Sequence, residues 1–324
     1  MSAARERRRA WEPDILAGPW VARSIPLGSD AEGPLDAVLV RSGAPASPRA
    51  VLYLHGFVDY FFQTAMAQSF IDAGYDFYAL DLRKYGRALR PGQTPNYVTE
   101  LADYATELDE AEHIIRVEDE HTELVVLGHS TGGLIASLWA HARPGRASTL
   151  VLNSPWLDLN ESWFHRVLLT PVVAALSRVS PRTVVGGLAE HYGRALHRES
   201  GGEWDYDLTW KPHAGFPVRA AWFSAVRRGH ARVARGLDID CPVLVCTSDA
   251  TGDNHAAHAA VLSTDSVLSV EQIHARAPRL GRDVTVVEVP GGAHDLALSP
   301  EPARTQYLNL VHHWLERRTA PPGR

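Results

Sequence analysis

Residues 124–133 read Leu124-Val125-Val126-Leu127-Gly128-His129-Ser130-Thr131-Gly132-Gly133, and this stretch decides the fold. Four apolar residues lead into a Gly-x-Ser-x-Gly motif, and small apolar residues follow it through position 142. The order predicts a strand, a sharp turn at Ser130 and a helix, and the glycines let strand and helix approach without Cβ clashes. The helix N-terminus then faces Ser130, a candidate nucleophile, and favours developing negative charge there. The alternative is a tight turn that carries no chemistry.

Other short apolar runs, rich in Val and Leu, recur along the chain. They lie at residues 50–54, 76–80, 123–127, 149–152, 242–246 and 284–289. Each run is continuous rather than alternating, which is typical of strands buried on both faces of a parallel sheet. Helix-like stretches lie at residues 61–73, 99–119 and 132–142. This alternation predicts an α/β fold with a mostly parallel central sheet flanked by helices, and the runs at 20–25 and 36–41 predict an antiparallel pair before it.

The alternation of strands and helices stops between residues 155 and 236, and we call this range the insertion. It contains helix-like segments, several prolines and five of the nine tryptophans: Trp156, Trp163, Trp204, Trp210 and Trp222. A long insertion between two core strands predicts a helical lid over a site, and the alternative is a peripheral structural helix bundle. The predicted organisation is therefore an N-terminal tail at 1–19, a core at 20–154 and 237–318, and the lid at 155–236.

The bulk composition excludes several classes of protein. The chain has 324 residues, of which 45% are hydrophobic and 22% charged, which is enough for one large core plus an insertion. The formal net charge of -6 argues against broad affinity for nucleic acid. The two cysteines, Cys241 and Cys246, flank a single apolar run, so we expect two reduced, buried thiols rather than a disulfide framework.

The first residues carry an arginine cluster but lack the apolar stretch of a secretory signal. The cluster consists of Arg5, Arg7, Arg8 and Arg9. The residues after it, 11–14, read Trp-Glu-Pro-Asp, whereas a signal peptide needs an apolar run at this place. No stretch approaches the roughly 18 to 20 apolar residues of a membrane span. We therefore expect a cytoplasmic protein without an integral membrane segment.

Four segments together resemble the lid-bearing α/β-hydrolases, which include monoacylglycerol lipases, lysophospholipases and serine aminopeptidase-like hydrolases. These segments are His55-Gly56-Phe57, Gly128-His129-Ser130-Thr131-Gly132-Gly133, Asp265 and Gly292-Ala293-His294-Asp295. The resemblance covers about residues 35–317 and is specific for the fold, but it says little about the substrate, because function depends on the site and not on the fold. Thr131 replaces the Met that frequently follows the serine in these proteins, and the loop that should carry the acid is long.

The resemblance implies a catalytic triad in the chain order Ser, Asp or Glu, His. Ser130 would be the nucleophile, and His294, after a predicted strand and a Gly-rich turn, would be the general base. Two residues compete for the acid. Asp265 is followed by apolar residues and a helix start, as in the family pattern, and is preferred, whereas Asp249 comes directly after the strand that ends at Cys246. The acid would fix the imidazole tautomer and stabilise the imidazolium.

The resemblance also implies an oxyanion hole made of two backbone N–H groups, those of Phe57 and Thr131. We expect the side chain of His55 to brace the loop rather than to react. The aromatic residues that follow, at 60–62, either line a substrate pocket or form the buried start of a helix. Both possibilities are open at the level of the sequence.

The expected function is that of a serine hydrolase that cleaves a carboxylic ester through an acyl-enzyme, with no cofactor and no metal. His255 and His258 with Asp253 have the spacing of one helical face, but a metal site needs further converging ligands. The Trp-rich insertion suggests a small-molecule ester with an apolar portion. The alternatives are a peptidase, a C–C bond hydrolase, an acyltransferase or a perhydrolase on the same scaffold, and a non-catalytic binding protein. The sequence leaves the oligomeric state open.

Overall fold

The predicted strands lie side by side in one nine-stranded sheet of the computed structural model, which describes residues 10–159, 173–253 and 255–319. The strands are β1 (Glu12–Pro13), β2 (Trp20–Asp30), β3 (Gly33–Ser42), β4 (Arg49–Leu54), β5 (Asp76–Asp81), β6 (Glu123–His129), β7 (Thr149–Asn153), β8 (Val184–Gly186), β9 (Val218–Arg219), β10 (Val243–Ser248) and β11 (Val284–Val289). Their order in the sheet is β1-β2-β3-β5-β4-β6-β7-β10-β11, while β8 and β9 form a separate antiparallel pair.

Six neighbouring strands of the large sheet, from β5 to β11, run parallel to one another. The strands before them are antiparallel, and β2 pairs with β3 from Trp20 against Ser42 to Asp30 against Gly33. Both the mostly parallel sheet and the antiparallel pair at its start are therefore confirmed. Residues 12 and 13, predicted as part of the tail, pair with β2 at Ala22 and Val21.

Helices cover both faces of the sheet. They are α1 (Thr64–Asp72), α2 (Ala105–His113), α3 (Thr131–Ala142), α4 (His191–Leu196), α5 (Ala220–Arg235), α6 (Val270–Arg276) and α7 (Ala303–Thr319). Residues 173–179 are also helical. Single 3₁₀ turns occupy Gly86–Ala88, Leu101–Tyr104, Arg198–Ser200, Ala277–Arg279 and Leu296–Leu298, and a π-helical turn, Ile114–Glu118, extends α2.

Successive residues of β4 show why these runs are continuously apolar. Ala50 and Leu52 face one core, which α2, α3, α5 and α6 cover, whereas Val51 and Tyr53 face a second core beneath α1 and α7. All four side chains are at most 1% exposed. Because side chains alternate between the faces of a strand and both faces are covered, no polar position is left in the run.

The predicted helices begin and end close to the expected places. The stretch 61–73 contains α1, and the chain leaves it at Gly74, which has φ +80°, a left-handed conformation that favours glycine. The stretch 99–119 contains α2 with the short turns on either side of it. The small-residue stretch after Ser130 is α3.

The insertion lies between β7 and β10, strands that pair directly with each other. Its described residues, 155–159 and 173–236, hold α4, α5 and the β8–β9 pair, so they are not helical alone. Helix α5 packs on the core, where Val226 and Val233 join the same apolar cluster as Leu134. Trp163 lies outside the described residues, as do the N-terminal arginines at 5 and 7–9.

The two cysteines are buried and unbonded, as predicted. Burial raises the pKa of the Cys241 thiol to about 11, so this group stays a neutral thiol at neutral pH. Among the residues described, none of the helices combines the length and the apolar character that a membrane crossing requires.

Candidate active site

Ser130 occupies the sharp turn between β6 and α3. Its backbone has φ +51° and ψ −117°, a conformation that L-residues rarely adopt, and its N–H donates to the carbonyl of Asn153. The chain can turn here because of its glycines. A Cβ added to Gly132 would lie 2.4 Å from the carbonyl oxygens of both Leu54 and His55. The glycine that sequence analysis attributed to close packing is thus required by the backbone of β4.

The side chains of Ser130, His294 and Asp265 form a continuous hydrogen-bonded chain. His294 Nε2 lies 3.1 Å from Ser130 Oγ, and His294 Nδ1 lies 2.9 Å from Asp265 Oδ1. A carboxylate can only accept, so Nδ1 carries the ring proton and Nε2 is left to accept the hydroxyl proton of Ser130. The three residues are 7%, 5% and 0% exposed, respectively, so little water competes for these bonds.

The two candidate acids lie in different surroundings. Asp265 Oδ1 also accepts from the backbone N–H groups of Val267 (3.0 Å) and Leu268 (2.8 Å), which fix the carboxylate against the imidazole. Asp249 is exposed, and its Oδ1 accepts from the N–H of Gly291 at 2.9 Å. The structure therefore brings Asp265 to His294, whereas Asp249 contacts the glycine turn that precedes His294 in the chain.

The amides of Phe57 and Thr131 are available to a ligand. In the described part of the chain, neither N–H donates to another protein group, and both residues line the same cavity as Ser130. The loop of Phe57 lies next to Ser130, since a Cβ added to Gly56 would lie 3.3 Å from Ser130 Cβ. His55 braces this loop as expected: its Nε2 accepts from the N–H of Leu82, and its Nδ1 lies 2.8 Å from the carbonyl of Gly56.

The same loop contains a strained residue that sequence analysis did not detect. Val58 has φ +52°, in the left-handed region that β-branched residues avoid. Such a conformation costs about 1–3 kcal/mol and persists only where the surroundings hold it. We call residues 56–59 the oxyanion loop.

A buried polar network supports the residues next to the triad. Asp295 Oδ1 accepts from Asn153 Nδ2 at 2.7 Å, and Asn153 Oδ1 accepts from the N–H of Leu296 at 3.1 Å. The N–H of Asp295 donates to the hydroxyl of Tyr192 from the insertion. Burial lowers the pKa of His129, whose ring lies 4.9 Å from that of His294, so His129 stays neutral beside it.

A cavity of about 240 Å³ opens above Ser130. The core contributes residues 56–59, Ser130 and His294, and the insertion contributes most of the apolar wall. The insertion residues on this wall include Trp156, Leu188, Tyr192, Leu196, Val218 and Trp222. Trp204 and Trp210, by contrast, pack beside the core, Trp204 donating to the carbonyl of Leu298.

The aromatic residues at 60–62 take the second of the two roles considered for them. Tyr60, Phe61 and Phe62 are at most 7% exposed and belong to apolar clusters next to α1. They do not appear among the described residues that line the cavity. They are packing residues at the start of a helix.

One charged pair in the cavity was missed by sequence analysis. Lys211 Nζ, from the insertion, lies 2.6 Å from Asp59 Oδ1 at the end of the oxyanion loop, and both residues line the cavity. A signal existed: Asp59 interrupts an aromatic run, and Lys211 is one of two lysines among 32 basic residues, the other being Lys84. The partners are 152 positions apart in the sequence, which explains why no local pattern joined them.

Two groups of side chains were tested as metal sites. His255 is exposed, and His258 Nε2 lies 2.5 Å from the backbone carbonyl of Asp253, which makes a local loop contact. Elsewhere in the described residues, potential ligand atoms of Asp59, His129 and Asp295 lie within 4.8 Å of one another. Because Asp59 already pairs with the Lys211 ammonium, the positive charge of Lys211 would repel a metal cation at this cluster.

A mostly parallel sheet with a serine at the strand-to-helix turn defines the α/β-hydrolase class. Within this class the chain belongs to the family described as serine aminopeptidase, S33, which it matches over residues 46–301. This match confirms the resemblance that the sequence motifs indicated.

Individual relatives are more distant. A monoacylglycerol lipase of Mycolicibacterium smegmatis is 28% identical over 141 residues, which cover 43% of this chain and 47% of the lipase, so the match spans about half of that relative. The crystal structure of Paleococcus ferrophilus monoacylglycerol lipase has a TM-score of 0.65 at 18% identity, covering 87% of this chain and 98% of its own. A Bacillus coagulans carboxyl esterase has a TM-score of 0.67 at 15% identity, covering 91% and 98%. These two structural likenesses show the fold.

Proposed function

We propose that the protein is a serine hydrolase that cleaves carboxylic esters through an acyl-enzyme on Ser130. The observation that carries this proposal is the arrangement of a buried Ser130–His294–Asp265 chain beside two backbone amides, those of Phe57 and Thr131, that donate to no other group in the described part of the chain. Family membership and the lipase and esterase relatives support the same reaction class.

In the first step His294 Nε2 removes the proton of Ser130 Oγ while the oxygen attacks the ester carbonyl. The negative charge that develops on the carbonyl oxygen is held by the N–H groups of Phe57 and Thr131, at the N-terminus of α3. Asp265 stabilises the imidazolium that forms, and the two backbone donors on Asp265 keep its carboxylate in place. His294 then returns the proton to the departing alcohol.

In the second step water takes the place of the alcohol. His294 removes a proton from water, which attacks the acyl carbonyl, and the same two amides hold the oxyanion again. Collapse of this intermediate releases the acid and restores the Ser130 hydroxyl. All groups required belong to the chain itself, and no step calls for a metal or a cofactor.

The wall of the cavity supports an ester with an apolar portion. The insertion supplies aliphatic and aromatic side chains to this wall, among them Trp156, Leu196 and Trp222. We propose that the insertion acts as a lid that excludes water from the acyl group. The cytoplasmic location expected from the N-terminal residues belongs to the same proposal.

Ester cleavage is favoured over aminopeptidase action by the charge of the cavity. An aminopeptidase has to bind the α-ammonium group of a peptide, which calls for an unpaired carboxylate in the pocket. Asp59 is the carboxylate that lines the described cavity, and Lys211 already pairs with it. The ammonium of Lys211 would repel a second cation at this place.

The test is replacement of the nucleophile. We expect Ser130→Ala to lower hydrolysis of p-nitrophenyl esters by about 10⁴-fold or more, since catalysis without the nucleophile retains only binding and the oxyanion donors. Turnover is measured with acetate, butyrate and octanoate esters and with aminoacyl p-nitroanilides. A fluorophosphonate probe should label the wild type at Ser130.

Ser137→Ala is the matched control, because Ser137 is a buried serine of α3, the helix that follows Ser130, and its hydroxyl donates to the carbonyl of Gly133. It should keep wild-type turnover. Retained ester hydrolysis in Ser130→Ala would refute the proposal, and faster cleavage of the anilides than of the esters would replace it with a peptidase.

A further inference from the structure

The oxyanion loop is anchored by the core at both ends. Before it, His55 bonds the backbone at Gly56 and Leu82. After it, the N–H of Phe61 donates to Asp81 Oδ1 at 2.9 Å, and Arg87 donates to the carbonyl of Phe61. Between these anchors the chain passes through the strained Val58, which no core hydrogen bond in the described residues holds.

The insertion makes the contacts that hold the middle of the loop. The Phe57 ring stacks on Trp222 of α5, with ring centroids 4.1 Å apart and planes 28° apart. On the other side of Val58, Asp59 pairs with Lys211 at 2.6 Å. The two residues that flank the strained position are therefore both held by side chains of the insertion.

In the Asp59–Lys211 pair, the ammonium of Lys211 compensates the charge of a buried carboxylate in the oxyanion loop. Asp59 is 2% exposed, and its Oδ2 has no hydrogen-bond partner among the described residues. Burial raises the pKa of this carboxyl, but Lys211, together with the nearby His129 and His55, lowers it by more, so the pKa lies below its ordinary range. Without the ammonium, Asp59 would be an unpaired buried carboxylate within 4.8 Å of an Asp295 oxygen, and it would have to take up a proton or move the loop. Either change removes the ion pair that holds Asp59 in place.

Lys211 is itself held firmly. Its N–H closes a turn on the carbonyl of Asp207 at 2.9 Å, and the N–H of Asp207 donates to the Tyr60 hydroxyl. The ammonium also lies 5.5 Å from the Phe62 ring and 5.6 Å from the Tyr206 ring. A lysine with one hydrogen-bonded carboxylate and two aromatic neighbours has little freedom, so it can transmit a fixed position to Asp59.

We propose that Lys211 is a positioning residue: its pair with Asp59 holds the oxyanion loop in the strained conformation that directs the Phe57 N–H towards the carbonyl oxygen of the substrate. The insertion then not only covers the oxyanion hole but also positions one of its two N–H donors. This inference rests on the proposed ester hydrolysis at Ser130.

The test is Lys211→Met, which keeps the length of the side chain and removes its charge. We expect kcat to fall about 10²-fold, the effect of losing one oxyanion donor, while KM changes less than about threefold. A residue that binds the substrate would instead raise KM.

A second substitution tests the strain directly. Glycine adopts positive φ without cost, so Val58→Gly should reduce the need for the pair. We expect the loss caused by Lys211→Met to be about tenfold smaller in the Val58→Gly background than in the wild type. The four proteins of this double-mutant cycle are compared by kcat, with thermal melting to verify that each is folded.

Lys84→Met is the matched control. Lys84 is the other lysine of the chain, and it also forms ion pairs, with Asp30 and Glu32 at 2.6 Å each; its side chain is 2% exposed, against 14% for Lys211. It should lower stability without changing kcat or KM. If Lys211→Met does not fold, Lys211→Gln, which keeps a donor but no charge, takes its place in the same cycle.

Three results would overturn the inference: an unchanged kcat in Lys211→Met, a rise in KM alone, or an equal loss in both backgrounds of position 58. Ser130→Ala is assayed alongside. If that variant retains turnover, the proposed function has failed. If it is inactive while Lys211→Met is as fast as the wild type, only the present inference has failed.

Discussion

The turn at Ser130 and the insertion meet at one cavity, but they are built in different ways. Every apolar residue of β6 from Leu124 to Leu127 is fully buried, and the turn is fixed by backbone packing in which a single Cβ at Gly132 would clash. The insertion reaches the cavity mainly through side chains on short helices and loops, such as Tyr192 and Lys211. The groups that we propose to react are therefore placed by the packed sheet, and their surroundings by side-chain contacts of the insertion.

The largest difference between the two regions should appear at Asp265. Asp265→Asn keeps the size of the side chain but removes the charge that stabilises the imidazolium, and we expect kcat to fall about 10³–10⁴-fold. The measurement is the kcat for a p-nitrophenyl ester. Asp249→Asn is the control and should change kcat less than about threefold, because Asp249 is exposed and, among the described residues, accepts from the Gly291 N–H and not from His294. Equal losses in the two variants would contradict the assignment of the acid.

The core part of this site was largely predictable from the sequence. Continuous apolar runs indicate strands buried on both faces, and glycines beside Ser130 indicate close backbone approach, so local composition reflects the structure there. The sequence pattern favoured Asp265 without excluding Asp249, because both follow β10. The loop path that buries Asp265 against His294 and leaves Asp249 exposed beside Gly291 is a tertiary feature.

The insertion was far less predictable. Lys211 and Asp59 are joined by tertiary packing across 152 residues, and a charge in a loop has no periodicity to indicate its partner. The strain at Val58 has the same origin, because a β-branched residue gives no local signal of positive φ. Helix α5 shows a third case: its apolar side joins the core, although it belongs to the insertion by sequence.

A smaller effect is expected from the close packing at the turn. Gly132→Ala places a Cβ 2.4 Å from the carbonyl oxygens of Leu54 and His55, so β4 and α3 must separate. We expect the free energy of unfolding to fall by about 3 kcal/mol, at the upper end for overpacked cores. Urea denaturation measures it.

Gly187→Ala is the control in the insertion, since no atom lies within 4 Å of the added Cβ. Its free energy of unfolding should stay within about 0.5 kcal/mol of the wild type. If Gly132→Ala and Gly187→Ala were equally stable, the claim that the turn is more tightly packed than the insertion would be wrong.

The smallest effect is expected at His230, within the insertion, where α5 contacts the segment that leaves β7. Its Nε2 lies 3.0 Å from the carbonyl of Trp156, and its Nδ1 lies 2.9 Å from Arg227 Nη1. Burial, reinforced by Arg227, lowers the pKa of His230 to about 3. Between about pH 3 and 6.5 the unfolded chain therefore binds a proton that the folded protein does not, so stability falls as the pH drops below about 6.5.

We expect His230→Gln to remove this dependence. The loss of unfolding free energy between pH 7 and pH 5 should be about 2 kcal/mol smaller in the variant than in the wild type. Denaturation at both pH values measures it, and His255→Gln, at an exposed position, should behave like the wild type. If the unfolding free energies of wild type and His230→Gln had the same pH dependence, His230 would not be the source of the loss of stability at low pH.

The direct pairing of β7 with β10 has a consequence for how this chain can change over time. Val243 lies opposite Leu150, and Cys246 lies opposite Asn153, so the two ends of the insertion are neighbours in the sheet whatever the length of chain between them. The entropy of closing a loop grows only logarithmically, by about 0.6 kcal/mol for each doubling of its length. Segments of very different size can therefore be exchanged between these strands at little thermodynamic cost, which makes this junction a natural point for grafting new specificities.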